Sequence, residues 1–581
     1  MQEQRIYLSD LAAWIKANVP MLRLVVIAAI LLCLIAPPLF FLILTSFSID
    51  DMILGWQGFT LEHYRTVLSS GATLDLLAKT LAFAVGSSLV GLFVGGMLAW
   101  IVERTNTPLR KLAYVAVFLH FATPAILRVI GWILLIGPKA GYINIMLRKI
   151  SHLELGSGPL NIFSMTGMIF IQGMDWSSLV FLLMAAPLRS MDPSLEEAAA
   201  ISGAGVWKTI QRVTLPLALP SILSVLLLAF VRCLEAFEVP ALIGIPAGVH
   251  VFTTKIWLQT KSIRPDFGIA CAYSMFTLLL VAGGLYLYSR ATKASYRFQT
   301  ITGKAYRPKV TDLGKWRYVT MLLILFVPLF DVLPLLILTW ASFLPYYTAP
   351  SWELLSKLTL ANYSSALTFS HIPIMDSVKN SLLVSSAGAT IAVLLATIVA
   401  WTAVRTKIRG RWFVDALASF PLVFPGVVLG VGLIKAYLVI PLPIYATLWI
   451  VIIGYVVRYL PYAMRYCHPG LLQISHELEE SATVSGASWF AVFRKILLPL
   501  MMPAIFGGWI WIFLVSFREL SLSIMLVGPN TSMVAVAIYE LWQSGQVNVL
   551  CAFGVMLSAF LIILSLGFQK FSKRYGIQGG A

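Results

Sequence analysis

Charge is scarce in this sequence. Only 12% of its 581 residues are Asp, Glu, Lys or Arg, about half the share of an ordinary soluble domain. Hydrophobic residues make up 59%, and the bilayer is the natural solvent for such a chain. Acids are scarcer than bases, with 25 Asp and Glu against 42 Lys and Arg and a formal net charge of +17. Cysteine is rare too. Cys33, Cys233, Cys271, Cys467 and Cys551 fall mostly inside apolar runs and none pair at metal spacing, so neither a disulfide framework nor a metal site is expected. Six of the seven histidines, His63, His152, His250, His371, His468 and His476, lie in or near connectors. No HExxH, CxxC or nucleophile elbow occurs, which argues against a membrane-embedded enzyme. No GxxxxGK followed by Ser or Thr occurs either, so ATP has no phosphate-binding loop here and no cofactor is expected in this chain.

What is present is apolar sequence in span-length runs. A membrane helix needs about 20 such residues. Candidates fall near 24–46, 80–102, 112–136, 165–188, 217–239, 268–289, 318–343, 378–403, 412–439, 443–464, 499–527 and 548–569. That predicts an all-α integral membrane protein of about twelve spans. The first run is too long for a signal-peptide core and lacks a clear cleavage site, so it reads as an uncleaved span. Within the preceding segment, Leu8, Leu11, Trp14 and Ile15 have helical spacing that suits the membrane surface. The Lys and Arg residues sit in short connectors, which the positive-inside rule explains better than nucleic acid does. Arg104, Arg110, Lys111, Arg189, Lys208, Arg212, Arg405, Lys407, Arg409, Arg411, Arg494 and Lys495 all fall on one side of a twelve-span topology, with the basic linker 290–317. The 528–547 loop on the other side has no Lys or Arg. Both termini are therefore expected in the cytoplasm.

The chain also repeats itself. Residues 196–222 read EEAAAISGAGVWKTIQRVTLPLALPSI and residues 479–505 read EESATVSGASWFAVFRKILLPLMMPAI, at an offset of 283. Glu196 meets Glu479, Gly203 meets Gly486, Pro216 meets Pro499 and Pro220 meets Pro503. Weaker echoes pair Ala99–Trp100 and Arg104–Thr105 with Ala400–Trp401 and Arg405–Thr406. The order is six spans, a basic linker and six spans, and parallel repeats of this kind place a pseudo-twofold axis along the membrane normal. Each repeated segment predicts a short helix that starts on acidic residues, breaks at Ser-Gly-Ala, and resumes as a second helix with Trp207 or Phe490 on it. Pro216 and Pro499 end that helix at the entry to the next span. A cytoplasmic helix–turn–helix present twice suits a partner with two equivalent binding surfaces.

This segment resembles the EAA loop of binding-protein-dependent ABC importer permeases. The first copy, EEAAAISG followed by TLP, matches that pattern well, and the second, with Glu480-Ser481-Ala482, matches it more loosely. The fused two-half plan, RFQTITGKAYRP at 297–308, FEVPALIG at 237–244 and RELSLSIML at 518–526 resemble the ferric-iron class of these permeases. That class lies close to polyamine, thiamine, phosphonate and sugar-phosphate systems. The resemblance implies a type I importer fold in a bacterial inner membrane. It implies an N-terminal segment 1–23, a first half 24–289, the linker 290–317, a second half 318–569 and a tail 570–581. Coupling segments would fall near 193–216 and 476–499, with Glu196, Glu197, Ala199, Gly203, Trp207, Glu479, Glu480, Ala482, Gly486 and Phe490 as the ATPase-coupling residues. Two ABC ATPase subunits, expected to be identical, would bind ATP and seat these segments. A periplasmic or lipid-anchored binding protein would deliver the solute, with ferric iron the leading expectation. An ion-coupled secondary transporter is the rival reading, and it needs no docking segments.

Five charges fall inside or beside spans: Arg232, Glu235 and Glu238 after the first coupling segment, and Arg518 and Glu519 at the corresponding place in the second half. Charges at such depth usually face a cavity or a partner. Glu235 maps onto Arg518 under the 283 offset, so the two are candidates for an outer gate. Local pairing of Arg232 with Glu235 is the plainer alternative, and contact of Glu238 and Glu519 with a cationic solute is a third.

Overall fold

A computed structural model describes residues 2–51, 55–151, 158–192, 194–295, 311–348, 351–368 and 372–574. The linker residues Arg297, Lys304, Arg307 and Lys309, the motif at 297–308, His152, Pro193, His371 and the end of the tail lie outside them. Ten helices are long and apolar enough to cross a membrane. In the first half these are α1 (Gln2–Ser46), α2 (Gly71–Arg104), α5 (Met165–Ser190), α7 (Val206–Glu235) and α9 (Phe267–Ser295). In the second they are α10 (Trp316–Ser342), α11 (Ile374–Arg405), α14 (Leu448–Leu472), α16 (Trp489–Phe517) and α18 (Val547–Arg574). The amphipathic stretch near the N-terminus continues α1 as one helix. A two-stranded hairpin, β1 (Ser48–Asp51) with β2 (Gly55–Phe59), is the one sheet among the described residues.

The runs 112–136 and 412–439 are not single straight helices. The first divides into α3 (Arg110–Ala122) and α4 (Ala125–Ile136), bent by 103°. The second divides at the matching place into Arg411–Val423, whose α-helical part is α12 (Arg411–Ser419), and α13 (Gly426–Val439), bent by 108°. Pro124 and Pro425 stand at the breaks as the N-caps of α4 and α13. Proline lacks the N–H that a continuous helix would use there, and it pushes the residue before it out of helical geometry.

Parallel packing decides whether these bent pairs cross the membrane. A Cβ on Gly91 would lie 3.0 Å from Gly173 O and one on Gly95 would lie 2.3 Å from Ser177 O. Arg104 donates to Met191 O. Contacts therefore ascend together along α2 and α5, and the two helices run the same way. Gly91 and Gly95 permit this approach because any side chain there would strike the neighbouring backbone. In the second half Gly388 approaches Tyr455, Thr397 meets Cys467, and Arg405 donates to Leu471 O, so α11 and α14 are also parallel. A chain that crosses twice in one direction must return in between, and each bent pair supplies that return. With each bent pair taken as one span, the described residues supply twelve crossings.

The compact units cut across the sequence halves 24–289 and 318–569. One unit combines α1 with Asp376–Val534 and the last turns of α18 from Leu566; the other combines Ser46–Met375 with Ala535–Ser565. α10 belongs with first-half helices because it is fitted to α4. A Cβ on Gly131 would lie 2.6 Å from Pro334 Cβ, and Trp132 stacks on Phe330 at 4.8 Å and donates its indole N–H to Phe330 O. α1 sits in the other unit for the same kind of reason, with Pro38 O 2.5 Å from where a Cβ on Gly432 would be.

Candidate functional site: the paired coupling segments

The two repeated segments fold alike, residue for residue. α6 (Ser194–Ile201) matches α15 (Glu477–Val484) at the 283 offset. The second helices begin at Val206 and Trp489, each passing through a π-helical turn, Ile210–Thr214 or Phe493–Leu497, into its span. Gly203 has φ +79° and Gly486 φ +85°. A Cβ at either place would meet nothing within 4 Å, so glycine is required there by backbone angle and not by space. The carbonyls of Ala199 and Ala482 accept the closing bonds from Ala204 N and Ala487 N, each at 3.0 Å. A left-handed residue spanned by such a bond is a Schellman helix end.

Each segment is tied down by a buried arginine at the end of a neighbouring span. Arg104, fully buried, pairs with Glu196 and donates to Met191 O at 3.2 Å. Thr214 Oγ1 donates to the other oxygen of Glu196 at 2.7 Å. Arg405 donates to Ile474 O at 2.5 Å and Leu471 O at 3.1 Å. Its Nε lies 2.7 Å from Glu479 Oε1, a charge contact without hydrogen-bond alignment. Met191 and Ile474 are equivalent under the offset, so the anchor is the same in both halves. The Arg-Thr echo in the sequence was the visible trace of it, but only the fold brings each arginine to its glutamate. Glu197 is half-buried and Glu480 exposed, the latter 3.1 Å from His476.

The free surface of each segment is apolar. Ile201 is 88% exposed and Val484 89%; Trp207 is 70% exposed and Phe490 61%. Leu195 and Leu478 are exposed as well. Bare apolar side chains at matched places mark a surface built to be covered. One contact differs between the halves: Arg23 of α1 lies over the Trp489 ring at 4.3 Å, and Trp401 packs on the same ring at 5.0 Å. Val206 holds the position equivalent to Trp489.

The five span-end charges are placed less symmetrically. Arg232 and Glu235 form a local pair at 2.8 Å, and the second oxygen of Glu235 is buried without a hydrogen-bond partner. Glu238 is half-buried, and Arg518 caps the end of α16. Glu519 accepts from Leu522 N and Ser523 N and from the Ser521 hydroxyl, so its carboxylate closes the turn into the short helix Ser523–Leu526. Glu235 and Arg518 fall in different compact units.

Sequence reading missed a second polar site, formed by α3, α4 and α5 of the first half with α10 of the second, all in one compact unit. His120 Nδ1 lies 2.9 Å from Asp331 Oδ1, and Arg128 pairs with Asp175. Arg128 also donates to His120 O at 2.7 Å and Thr123 O at 2.6 Å, carbonyls at the break between α3 and α4, where a helix end leaves acceptor capacity over. Each of these charges was visible in an apolar run, and intramembrane charge is a functional signal by default. Their meeting depends on tertiary packing. Among the described residues no group of three His, Cys, Asp or Glu side chains is placed to hold a metal ion.

Ten to twelve crossings among the described residues, with a repeated, anchored, apolar-tipped helix–turn–helix, define a transport permease. The chain belongs to the binding-protein-dependent transport system inner membrane components, a family it matches over residues 88–293 and 388–575. It is thus an ABC importer permease of the inner membrane. It is 25% identical to the ferric transport system permease protein FbpB of Actinobacillus pleuropneumoniae, over 93% of this chain and 77% of that one. It is 27% identical to the spermidine/putrescine transport system permease protein PotC of Escherichia coli K12, over 40% of this chain and 87% of that one. A crystal structure of a bacterial ABC transporter that imports the acidic polysaccharide alginate aligns with 50% of this chain and 99% of its own, at 24% identity and a TM-score of 0.39.

Proposed function

We propose that this chain forms the translocation pathway of a ferric-iron importer, as one permease bound to two identical ATPase subunits. The observation that carries the docking is the matched pair of tips, each exposing Ile201 with Trp207 or Val484 with Phe490 and each held by a buried arginine. Two equivalent docking elements on one chain call for two equivalent partner clefts. ATP would be bound and hydrolysed by those partners, with no cofactor in this chain. The basic connectors support a cytoplasmic location for the tips and both termini. The FbpB relative, similar over nearly the whole fused chain, supports ferric iron over polyamine, thiamine, phosphonate or sugar phosphate. A periplasmic or lipid-anchored binding protein would present the solute at the opposite face. Arg232, Glu235 and Glu238 in one unit, and Arg518 and Glu519 in the other, are the span-end charges nearest that face, and the buried unsatisfied oxygen of Glu235 leaves that residue able to accept a further partner. Native mass spectrometry of the complex purified from membranes tests the docking. One copy of this chain with two ATPase subunits is expected, and two copies of this chain would refute it.

A further inference from the structure

Two short helices stand at the ends of the spans opposite the coupling tips. α8 (Phe252–Lys261) lies between α7 and α9, and α17 (Val534–Gln543) lies between α16 and α18. The 283 offset pairs them, with Val251 on Val534, Ile256 on Tyr539 and Trp257 on Glu540. Their roots match too. Phe252 N donates to Thr80 Oγ1 of α2 at 3.1 Å, and Val534 N to Ser381 Oγ of α11 at 2.9 Å. Each helix is fastened at its start to the second span of its own half.

From Ala535 onward α17 shares a compact unit with α8, and there the two helices meet. The Trp257 and Tyr539 rings stand edge to face at 5.9 Å. Lys261 and Glu540, both exposed, attract each other beside them. Trp257 thus touches the symmetry mate of its own neighbour, Ile256. An element in contact with its own mate lies on the axis that relates the two. For parallel repeats that axis runs along the membrane normal, and a solute crosses at the interface of the repeats. α8 and α17 therefore stand across the line of entry. Their contact is a light one, since an aromatic pair and an exposed charge pair each contribute little. The Trp257 indole N–H is also buried without a hydrogen-bond partner, a cost that a second arrangement can remove. The root of α8 is firmer: Phe252, Thr253 and Thr254 are buried, and Thr253 Oγ1 donates to Ala236 O at 2.7 Å. Firm roots and lightly joined faces suit elements that part without unfolding.

We propose that α8 and α17 form a releasable clasp between the halves at the outer face, and that it parts in every transport cycle. Trp257 and Tyr539 form its seal, and Lys261 and Glu540 its rim. The inference rests on the docking reading above and adds the element at the far end of the same helices. α7 joins the first coupling segment to α8, and α16 joins the second to α17. Coupling between two sites is reciprocal in binding free energy. A clasp held shut therefore opposes nucleotide-driven closure of the ATPase pair, and a loosened clasp favours it.

The test uses the complex purified with its ATPase and needs no solute. Lys261→Cys/Glu540→Cys, at two exposed positions, is joined by a short bifunctional thiol reagent whose bridge a reductant cleaves, and bridging is read by mass. The bridge is expected to form, ATP hydrolysis to fall about tenfold or more, and reduction to restore it, with both single variants unaffected by the same treatment. Trp257→Ala/Tyr539→Ala, which loosens the seal, is expected to bind a non-hydrolysable ATP analogue roughly two- to tenfold more tightly than wild type. Failure of the bridge to form, undiminished hydrolysis in the bridged complex, or unchanged or weaker analogue binding by the loosened variant overturns the clasp alone. Absence of an ATPase from the purified complex overturns the docking reading, and the clasp with it, because nothing would then release it.

Discussion

Glu196→Gln and Glu479→Gln each remove the acid from one anchor and leave a buried guanidinium behind. Removing one member of a buried pair costs ~3–5 kcal/mol. Glu196 and Glu479 side chains retain 13% and 14% exposure, so solvent takes part of the charge and about 2–3 kcal/mol is the expected loss. Tenfold corresponds to about 1.4 kcal/mol, which makes the seated tip roughly 30- to 140-fold less populated against its unseated form. The halves should differ. The Thr214 hydroxyl, bonded to Glu196 at 2.7 Å, can still donate to a glutamine there. Leu497 occupies that position in the second half and offers no such bond. A neutral hydrogen bond is worth about 1 kcal/mol, so Glu479→Gln is expected to be the more damaging change by roughly fivefold. The assay is binding-protein-stimulated ATP hydrolysis and uptake by the reconstituted complex, with Arg405→Gln and Arg405→Gln/Glu479→Gln beside the single variants. If the two side chains act through each other, the double variant is less impaired than the sum of the singles by more than about 0.5 kcal/mol. Additive damage, or equal damage from Glu196→Gln and Glu479→Gln, would show that the anchor reasoning is wrong.

Gly203→Ala and Gly486→Ala should each cost about 1–2 kcal/mol at the left-handed turn and depress uptake without lowering membrane abundance; uptake at the wild-type rate in the double variant refutes the requirement for φ above zero. Glu235→Arg and Arg518→Glu should each impair uptake, and the combined swap should restore much of it if the two meet as a gate, whereas summed damage leaves the observed Arg232–Glu235 pair as the whole account. Asp331→Asn should weaken the hold of α3 on α10 by roughly 2–4 kcal/mol, as expected when a buried polar pair loses one partner, and lower the thermal stability of the detergent-solubilised protein; an unchanged melting temperature contradicts it. The Asp312 carboxylate accepts from Gly314 N and Asn106, and these bonds hold its pKa below the usual carboxylate value. A depressed folded value means its contribution is present above the unfolded pKa of about 4 and disappears as pH falls through the folded one. Linker attachment, followed by a distance between spin labels at Arg110 and Lys315, should be flat from neutrality down to about pH 5; release in that range refutes this.

Repetition and hydropathy made most of the architecture legible. Composition placed the chain in the membrane, apolar runs placed its crossings, and Glu196 to Pro220 against Glu479 to Pro503 paired its halves. The breaks before α4 and α13 were less legible because hydropathy stays high on both sides of Pro124 and Pro425, and a proline inside a span is also compatible with a gentle kink. The exchange of first spans left no one-dimensional trace. Nothing in the run 318–343 says that Pro334 will lie against Gly131 and not against a helix of its own half. Charges behaved similarly. Arg128, Asp175 and Asp331 each stood out as an ion in an apolar run, yet three helices must pack before they become partners. Glu519, legible as a deep acid, is used to cap a turn, and sequence cannot separate that from solute contact because both need a carboxylate at the same depth.

The junction between the halves carries a further consequence. After the linker, Thr311 pairs with Thr105 as a parallel bridge, Asn106 bonds Asp312, and the Thr107 and Thr320 hydroxyls meet at 2.7 Å. Thr311 N donates to the carbonyl of Arg104, the residue that anchors the first coupling segment. None of these bonds needs covalent continuity through 296–310. What continuity adds is effective concentration: two separate chains would have to find each other at their cellular abundance, whereas a covalent connection of this length holds its ends together at a local concentration on the order of millimolar. A permease assembled this way never has an unmatched half, and synthesis of one chain sets the ratio of its two coupling segments at unity.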